Sequence, residues 1–139
     1  MPNKSELVKI FESAAREAGK LIKKEFGKVT ESKVQSKDLG DFVTNTDLET
    51  ENILLNILKK NFPNSSYLTE ESDPFKGNDE TIVIDPIDGT SNFIHGIPSI
   101  GIVIARVHKE EITDGIIFNP VSDELFFATK DKGAWCNNE

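Results

Sequence analysis

Length, composition and charge set the first limits on function. The chain has 139 residues, of which 37% are hydrophobic and 29% charged, as is typical of one folded domain and not of a disordered chain. Its net charge of −8 argues against general nucleic-acid binding, which needs basic surface, although bound cations can still admit a phosphate. The single cysteine suits a reducing cytoplasm, and no uninterrupted apolar segment predicts a signal peptide or a membrane span.

The first half of the chain predicts two helices. Apolar residues recur at helical spacing from Leu7 to Phe26, and Gly27 is a typical helix stop. The polar stretch 31–40 is predicted to be a loop. A second helix is predicted to begin at Thr46, because Thr46 and Glu49 have the spacing of a capping box, and to end before Pro63.

The second half predicts a sheet. Short β-branched runs alternate with tight turns, which favours an antiparallel meander, and a short helical turn is expected at 91–95. The fold class is therefore α+β, with two N-terminal helices packed on a largely antiparallel sheet. Because a turn signal follows the last strand, we expect the sheet to need a further strand. The predicted strands are Ser66–Thr69, Thr81–Asp85, Ser99–Val107, Ile112–Asn119, Glu124–Thr129 and Ala134–Cys136.

The stretch 81–98, TIVIDPIDGTSNFIHGIP, carries the strongest chemical signal. Asp85 closes a buried strand, Pro86 restricts the backbone, and Asp88 follows three residues later. Gly89 allows a ligand to approach the backbone closely, and free N–H groups at Thr90 would face a phosphate oxygen. This pattern predicts a site for a hard cation and a phosphate. The alternative is a plain turn, since Asp-Pro and Asp-Gly are common turn dipeptides.

Other acids have equally simple alternatives. Asp47 is explained as a helix-dipole acid in the first turn of the second helix, and the pair Glu70-Glu71 as a solvated turn. If these acids converge with the aspartates of 85–88, the cluster repels itself without cations, and its oxygen ligands suit Mg²⁺ or Mn²⁺ better than zinc. The two histidines, His95 and His108, are too scattered for a zinc site.

The segment IDPIDGTSNFIHGIP resembles the signature of the inositol monophosphatase family, the lithium-sensitive sugar-phosphate phosphatases. GDFVTNTD at 40–47, LTEES at 68–72 and NPVSDELFFATKDKGAW at 119–135 also match in order and spacing. The resemblance runs from the first helix to the last residue. Within the family, the sequence is most similar to the bacterial inositol-1-monophosphatase, or SuhB-like, type.

The resemblance implies a magnesium site. Glu70, Asp85 and the carbonyl of Ile87 correspond to the ligands of a first Mg²⁺. Asp85 and Asp88 correspond to carboxylates that help to hold a second ion. Two or three ions are expected, with Mn²⁺ as the alternative metal.

The resemblance also implies the catalytic roles. Asp47 and Thr90 correspond to the pair that orients and deprotonates the attacking water, assisted by Glu70. The residues expected to bind the substrate are Glu70, Asp88, Gly89, Thr90 and Ser91.

Function follows from the family and from what this chain lacks. The expected reaction is Mg²⁺-dependent hydrolysis of myo-inositol 1-phosphate to inositol and phosphate, with another sugar or nucleotide phosphate as the alternative. Residues 1–139 are expected to form the N-terminal metal- and phosphate-binding domain of the layered α/β sugar-phosphatase fold, without the C-terminal domain. In the family, the C-terminal domain carries a further aspartate ligand of the metal. Residues 1–139 alone are therefore expected to be weakly active or inactive. Asp114 and Asp123 are predicted to serve turns instead.

The expected partners are few. They are a small sugar-phosphate substrate, a second copy of the chain in a homodimer, and, as in SuhB-like proteins, a transcription complex. In this last alternative the short chain keeps a binding surface without turnover. Direct nucleic-acid or membrane binding is not expected, and the expected location is the cytoplasm.

Overall fold

The computed structural model describes residues 3–28, 37–69 and 79–139. Within them the elements are two long helices, a six-stranded sheet and a short helix between the second and third strands. They are α1 (Glu6–Glu25), α2 (Lys37–Asn61), β1 (Ser66–Thr69), β2 (Glu80–Asp88), α3 (Thr90–Ile94), β3 (Gly101–His108), β4 (Glu111–Asn119), β5 (Glu124–Thr129) and β6 (Ala134–Cys136).

Helix α1 confirms the predicted first helix and has clear start and stop signals. The Ser5 side chain caps it by accepting a hydrogen bond from the Val8 N–H at 3.1 Å. Phe26 turns extended, and Gly27 takes a left-handed φ of 78°. The buried stripe of α1 contains Val8, Phe11, Ala14, Ala15, Ala18, Gly19 and Ile22.

Helix α2 corrects the predicted boundary. It begins at Lys37, nine residues before the expected start, so the predicted loop 31–40 is helical from 37 on, and its earlier part lies outside the described residues. Thr46 is an interior residue whose carbonyl accepts the Thr50 hydroxyl at 2.7 Å. The capping-box pattern was misleading because it is a purely local signal, which does not by itself set where a helix begins. The helix ends at Asn61, before Pro63, as predicted.

The sheet confirms the predicted meander. Its strands lie in the order β1-β2-β3-β4-β5-β6, with β1 parallel to β2 and every other pair antiparallel. The bounds of β1, β5 and β6 agree with the prediction. Strand β2 was predicted to end at Asp85, but it continues to Asp88. It continues because Asp88 still pairs with Gly101 of β3, across an irregularity in the register.

The two faces of the sheet differ sharply. On the face that α1 and α2 cover, Ile84, Ile104 and Ile116 are at most 2% exposed. On the opposite face, which we call the open face, Ile117 is 47% and Phe126 43% exposed, beside an apolar groove of about 440 Å³. A domain of two helices and one sheet therefore keeps its core on one side only.

A polar network lies under the edge of the helix-covered face and corrects one prediction. Asp114, predicted to serve a turn, is instead a buried strand residue. Its carboxylate accepts hydrogen bonds from Thr129 at 3.0 Å and Ser5 at 3.3 Å and lies 3.5 Å from Arg106 Nε. Sequence spacing could not show this, because the three partners lie far apart in the chain, at the N-cap of α1, in β3 and in β5. Asp123 does lie in the β4–β5 turn, with a φ of 56°.

Among the described residues, no helix is both long and apolar enough to cross a membrane.

Candidate active site

The candidate site is organised by a bulge in β2. Asp85 lies opposite Val103 and Asp88 opposite Gly101, so β2 spans three residue steps where β3 spans two. Side chains alternate between the faces of a strand, and residues directly opposite each other share a face. Without the extra residue, Asp85 and Asp88 would point to opposite sides. The bulge therefore places both carboxylates on one face, and it is the open face.

The segment between Asp85 and Asp88 is anchored by a side chain that is buried in the core. Ile87 is buried at 3% exposure, while Asp85 is half-buried and Asp88 is exposed. The Thr90 hydroxyl donates to the Ile87 carbonyl at 3.3 Å. The anchored Ile87 side chain thus fixes the backbone from which the two carboxylates and the Thr90 hydroxyl project.

Gly89 makes the turn that joins β2 to α3. Its φ of 89° lies in the left-handed region, and a Cβ there would lie 2.8 Å from the backbone oxygen of Ser99. The Phe93 N–H donates back to the Gly89 carbonyl at 3.0 Å, which closes the first turn of α3. The predicted helical turn 91–95 is confirmed within one residue. Ser91 is exposed, and its carbonyl accepts the His95 Nδ1–H at 2.8 Å.

Asp47 is not in the first turn of α2, where a helix-dipole acid would lie. It lies ten residues into α2 and is 7% exposed, so a role as a helix-dipole acid of the first turn is wrong. Thr46, Thr50 and Glu51 are buried on the same part of the helix, and α2 packs against β2. Sequence reasoning missed Glu51, which is fully buried one helical turn after Asp47. The signal was available, because residues four apart share a helix face.

The donor set fits magnesium. Asp85 and Asp88 offer carboxylate oxygens and Ile87 a carbonyl oxygen, and hard oxygen ligands favour Mg²⁺ or Mn²⁺ over zinc. Glu70 lies outside the described residues, as does the neighbouring Glu71. Within the described ranges, no group of three or more His, Cys, Asp or Glu side chains is arranged to hold a metal ion. The structure places residues 85–91 on the end of β2 and the turn into α3, and the metal and phosphate roles of these residues and of Glu70 stay predictions.

Comparison with known proteins agrees with this fold. The chain is 40% identical over 129 residues to an inositol-1-monophosphatase of Caulobacter vibrioides, covering 91% of this chain and 50% of that protein. It is 36% identical over 133 residues to the Nus factor SuhB of Escherichia coli K12, covering 94% and 50%.

A solved structure from the same group of proteins has a similar fold. The extragenic suppressor protein suhB of Bartonella henselae superposes with a TM-score of 0.85 at 34% identity, covering 97% of this chain and 52% of that one. The chain therefore spans about half the length of the relatives that it matches. The sequence model of the inositol monophosphatase family matches residues 3–139. On this evidence, the chain belongs to the inositol monophosphatase family.

Proposed function

We propose that this chain carries the metal- and phosphate-binding part of an enzyme that hydrolyses a small phosphate monoester. The observation that carries the proposal is the β2 bulge, which sets Asp85 and Asp88 on one face next to the Gly89 turn. Two like charges in one place favour a bound cation, and a glycine turn admits the phosphate.

The residues that would hold Mg²⁺ are Glu70, Asp85, Asp88 and the Ile87 carbonyl. When bound, the ions lower the pKa of a water, orient it towards phosphorus and stabilise the leaving oxygen. The chain fixes three of these groups through the buried Ile87 side chain and the continued pairing of β2 with β3. Preorganised ligands bind more tightly, because their order is already set by the fold.

Asp47 and Thr90 are proposed to manage the proton of the attacking water, assisted by Glu70. The Thr90 hydroxyl donates a hydrogen bond to the Ile87 carbonyl, so its oxygen can accept a hydrogen bond from the water and orient it. The proton that the water loses would pass to a carboxylate, Asp47 or Glu70. Asp47 is kept in a buried environment by α2, where a carboxylate interacts more strongly with nearby charges. Gly89, Thr90 and Ser91 are proposed to receive the phosphate, and the exposure of Ser91 is compatible with this.

We infer that the substrate is myo-inositol 1-phosphate. The name of the Caulobacter vibrioides relative, at 40% identity, supports this substrate. Another sugar or nucleotide phosphate is the alternative, because about half of that relative has no counterpart in this chain. The domain proposal is that residues 1–139 form one metal- and phosphate-binding unit, since both long helices share one core with the sheet.

Phosphate release from myo-inositol 1-phosphate tests the proposal. We expect slow release, in keeping with the weak activity expected of residues 1–139, that needs Mg²⁺, stops with a chelator and is lost in Asp88→Asn. Asp131→Asn is the matched control, because Asp131 is an exposed turn residue whose φ of 63° asparagine also adopts. Equal release from Asp88→Asn, or release without metal, would contradict the proposal.

Mg²⁺ binding, measured by calorimetry, separates the remaining outcomes. If the chain releases no phosphate but binds Mg²⁺, and Asp88→Asn does not, the metal-binding role stands and turnover requires more than residues 1–139. If neither release nor Mg²⁺ binding occurs, the enzyme proposal is wrong. A binding role such as the name of the SuhB relatives suggests would then be the better description.

A further inference from the structure

We propose that Asn92 is a positioning residue of the phosphate-binding turn, where it clamps the Gly89 backbone against the start of β3. The inference rests on the proposed function of Gly89–Ser91. It depends on three contacts that join the turn to the segment between α3 and β3.

The first contact is the close approach of two backbones. The position of a Cβ on Gly89 would lie 2.8 Å from the Ser99 carbonyl oxygen, so this oxygen lies directly against the turn. A carbonyl oxygen carries partial negative charge, which repels a phosphate when nothing offsets it. The Ser99 oxygen therefore needs a fixed position and a donor.

Asn92 supplies that donor. Its Nδ2 donates to the Ser99 oxygen at 2.8 Å and lies 3.6 Å from the Cβ position at Gly89. The Asn92 carbonyl also accepts the Ile97 N–H at 2.8 Å. One residue thus holds the loop at both of its ends, by its side chain and by its backbone.

A second asparagine anchors the far side of the loop. Asn119 donates from Nδ2 to the Pro98 carbonyl at 2.8 Å, while its Oδ1 accepts the N–H groups of Val121 and Ser122 at 3.0 and 3.2 Å. The loop is therefore tied to the β4–β5 turn as well as to α3. Of the two asparagines, Asn92 holds the oxygen that touches Gly89, so it sets the geometry of the turn.

Asn92→Ala tests the clamp, with Asn61→Ala as the matched control. Asn61 makes the same kind of bond, from Nδ2 to a backbone oxygen at 2.8 Å on an exposed surface, but at the end of α2. We expect the Phe93 and Ile97 amides to exchange with solvent roughly fivefold faster in Asn92→Ala and at an unchanged rate in Asn61→Ala. The melting temperature should hardly change in either variant, and unchanged exchange in Asn92→Ala would overturn the proposal.

Inorganic phosphate, titrated in the presence of Mg²⁺, supplies a readout that a purely structural role would not move. We expect phosphate affinity to fall roughly fivefold in Asn92→Ala and further in Asn92→Asp, which has the shape of asparagine but puts a negative charge beside the Ser99 oxygen. Asn61→Asp adds the same charge elsewhere and should leave affinity unchanged. If Asn92→Asp binds phosphate as well as the native chain, the positioning role is wrong.

Phosphate binding and amide exchange test the proposed function and the role of Asn92 separately. If the native chain binds no phosphate, the proposed function of the turn is wrong, while amide exchange at Phe93 and Ile97 still decides whether Asn92 holds the loop. If the native chain binds phosphate but Asn92→Ala does not change amide exchange at Phe93 and Ile97, Asn92 does not clamp the loop, and the phosphate site stands.

Discussion

The two faces of the one sheet treat the same residue types in opposite ways. On the helix-covered face Asp114 lies beside the guanidinium of Arg106 and accepts two hydroxyl hydrogen bonds. On the open face a bulge collects Asp85 and Asp88 as two like charges. Arg106 gives Asp114 a cation from within the fold, which contributes to stability, whereas we propose that the pair Asp85 and Asp88 holds a cation from outside. On this contrast we propose a structural role for Asp114 and a metal-binding role for Asp85 and Asp88.

The largest expected difference between the faces is hydrophobic. Ile116 and Ile117 are adjacent in β4 and identical in type, but they are 2% and 47% exposed. We expect Ile116→Ala to lower the free energy of unfolding by about 4 kcal/mol, because it leaves a cavity in the core. Ile117→Ala should cost about 0.5 kcal/mol. Urea denaturation of both variants measures the difference, and equal losses would show that the open face is covered in solution.

The acids should show the reverse pattern. We expect Asp114→Ala to lower the free energy of unfolding by about 3 kcal/mol, because it leaves Arg106 and two hydroxyl donors without their acceptor. Asp88→Asn should leave stability unchanged or slightly higher, since it removes one of two like charges. Chemical denaturation without divalent cations measures both, and a large loss for Asp88→Asn would mean that this acid is structural.

Added Mg²⁺ should stabilise the chain through the open face. A ligand at a hundredfold excess over its dissociation constant stabilises the folded state by about 2.7 kcal/mol. We expect thermal unfolding to shift upward with Mg²⁺ in the native chain and in Asp114→Asn, but not when Asp85 and Asp88 are both changed to asparagine. The same Mg²⁺ shift in the double variant would place the cation elsewhere.

Gly27 and Gly89 both have a left-handed φ, and comparing them tests the close backbone contact at the Gly89 turn. Gly27 has a φ of 78° and no atom of the described chain within 4 Å of an added Cβ, so Gly27→Ala should cost about 1 kcal/mol. Gly89→Ala should cost about 2 kcal/mol, because its Cβ also meets the Ser99 oxygen at 2.8 Å. Thermal unfolding ranks the two, and an equal cost would remove the argument for a close backbone contact at the turn.

The smallest effect concerns Tyr67, which is buried and donates its hydroxyl to the Phe62 carbonyl at 2.7 Å. Tyr67→Phe should lower the free energy of unfolding by about 1 kcal/mol at neutral pH. Burial raises the pKa of Tyr67 from 10.0 to about 12, so the unfolded chain loses the phenol proton first. The stability advantage of the native chain over Tyr67→Phe should therefore shrink as the pH rises from 10 to about 12.

Unfolding curves at several alkaline pH values check this sign. Below pH 10 both states keep the phenol proton, so the difference between native chain and variant should be constant there. A difference that does not shrink above pH 10 would contradict the raised pKa.

Much of this molecule was determined by the sequence alone. The stripe of α1 and the turns between β3, β4, β5 and β6 are local signals, in which apolar spacing and turn residues lie within a few positions of each other. The DPIDG segment is a local signal as well, and the cation and phosphate site that its residue types predict stays a prediction.

Only the tertiary structure decided the features that join distant residues. The start of α2 does not follow from its local capping pattern, and the partners of Asp114 are Ser5 before α1, Arg106 in β3 and Thr129 in β5. The common face of Asp85 and Asp88 depends on their register with β3, because one extra residue in β2 reverses which side a carboxylate takes. Sequence spacing fixes which chemical groups are near each other along the chain, while pairing and packing fix the side on which they meet.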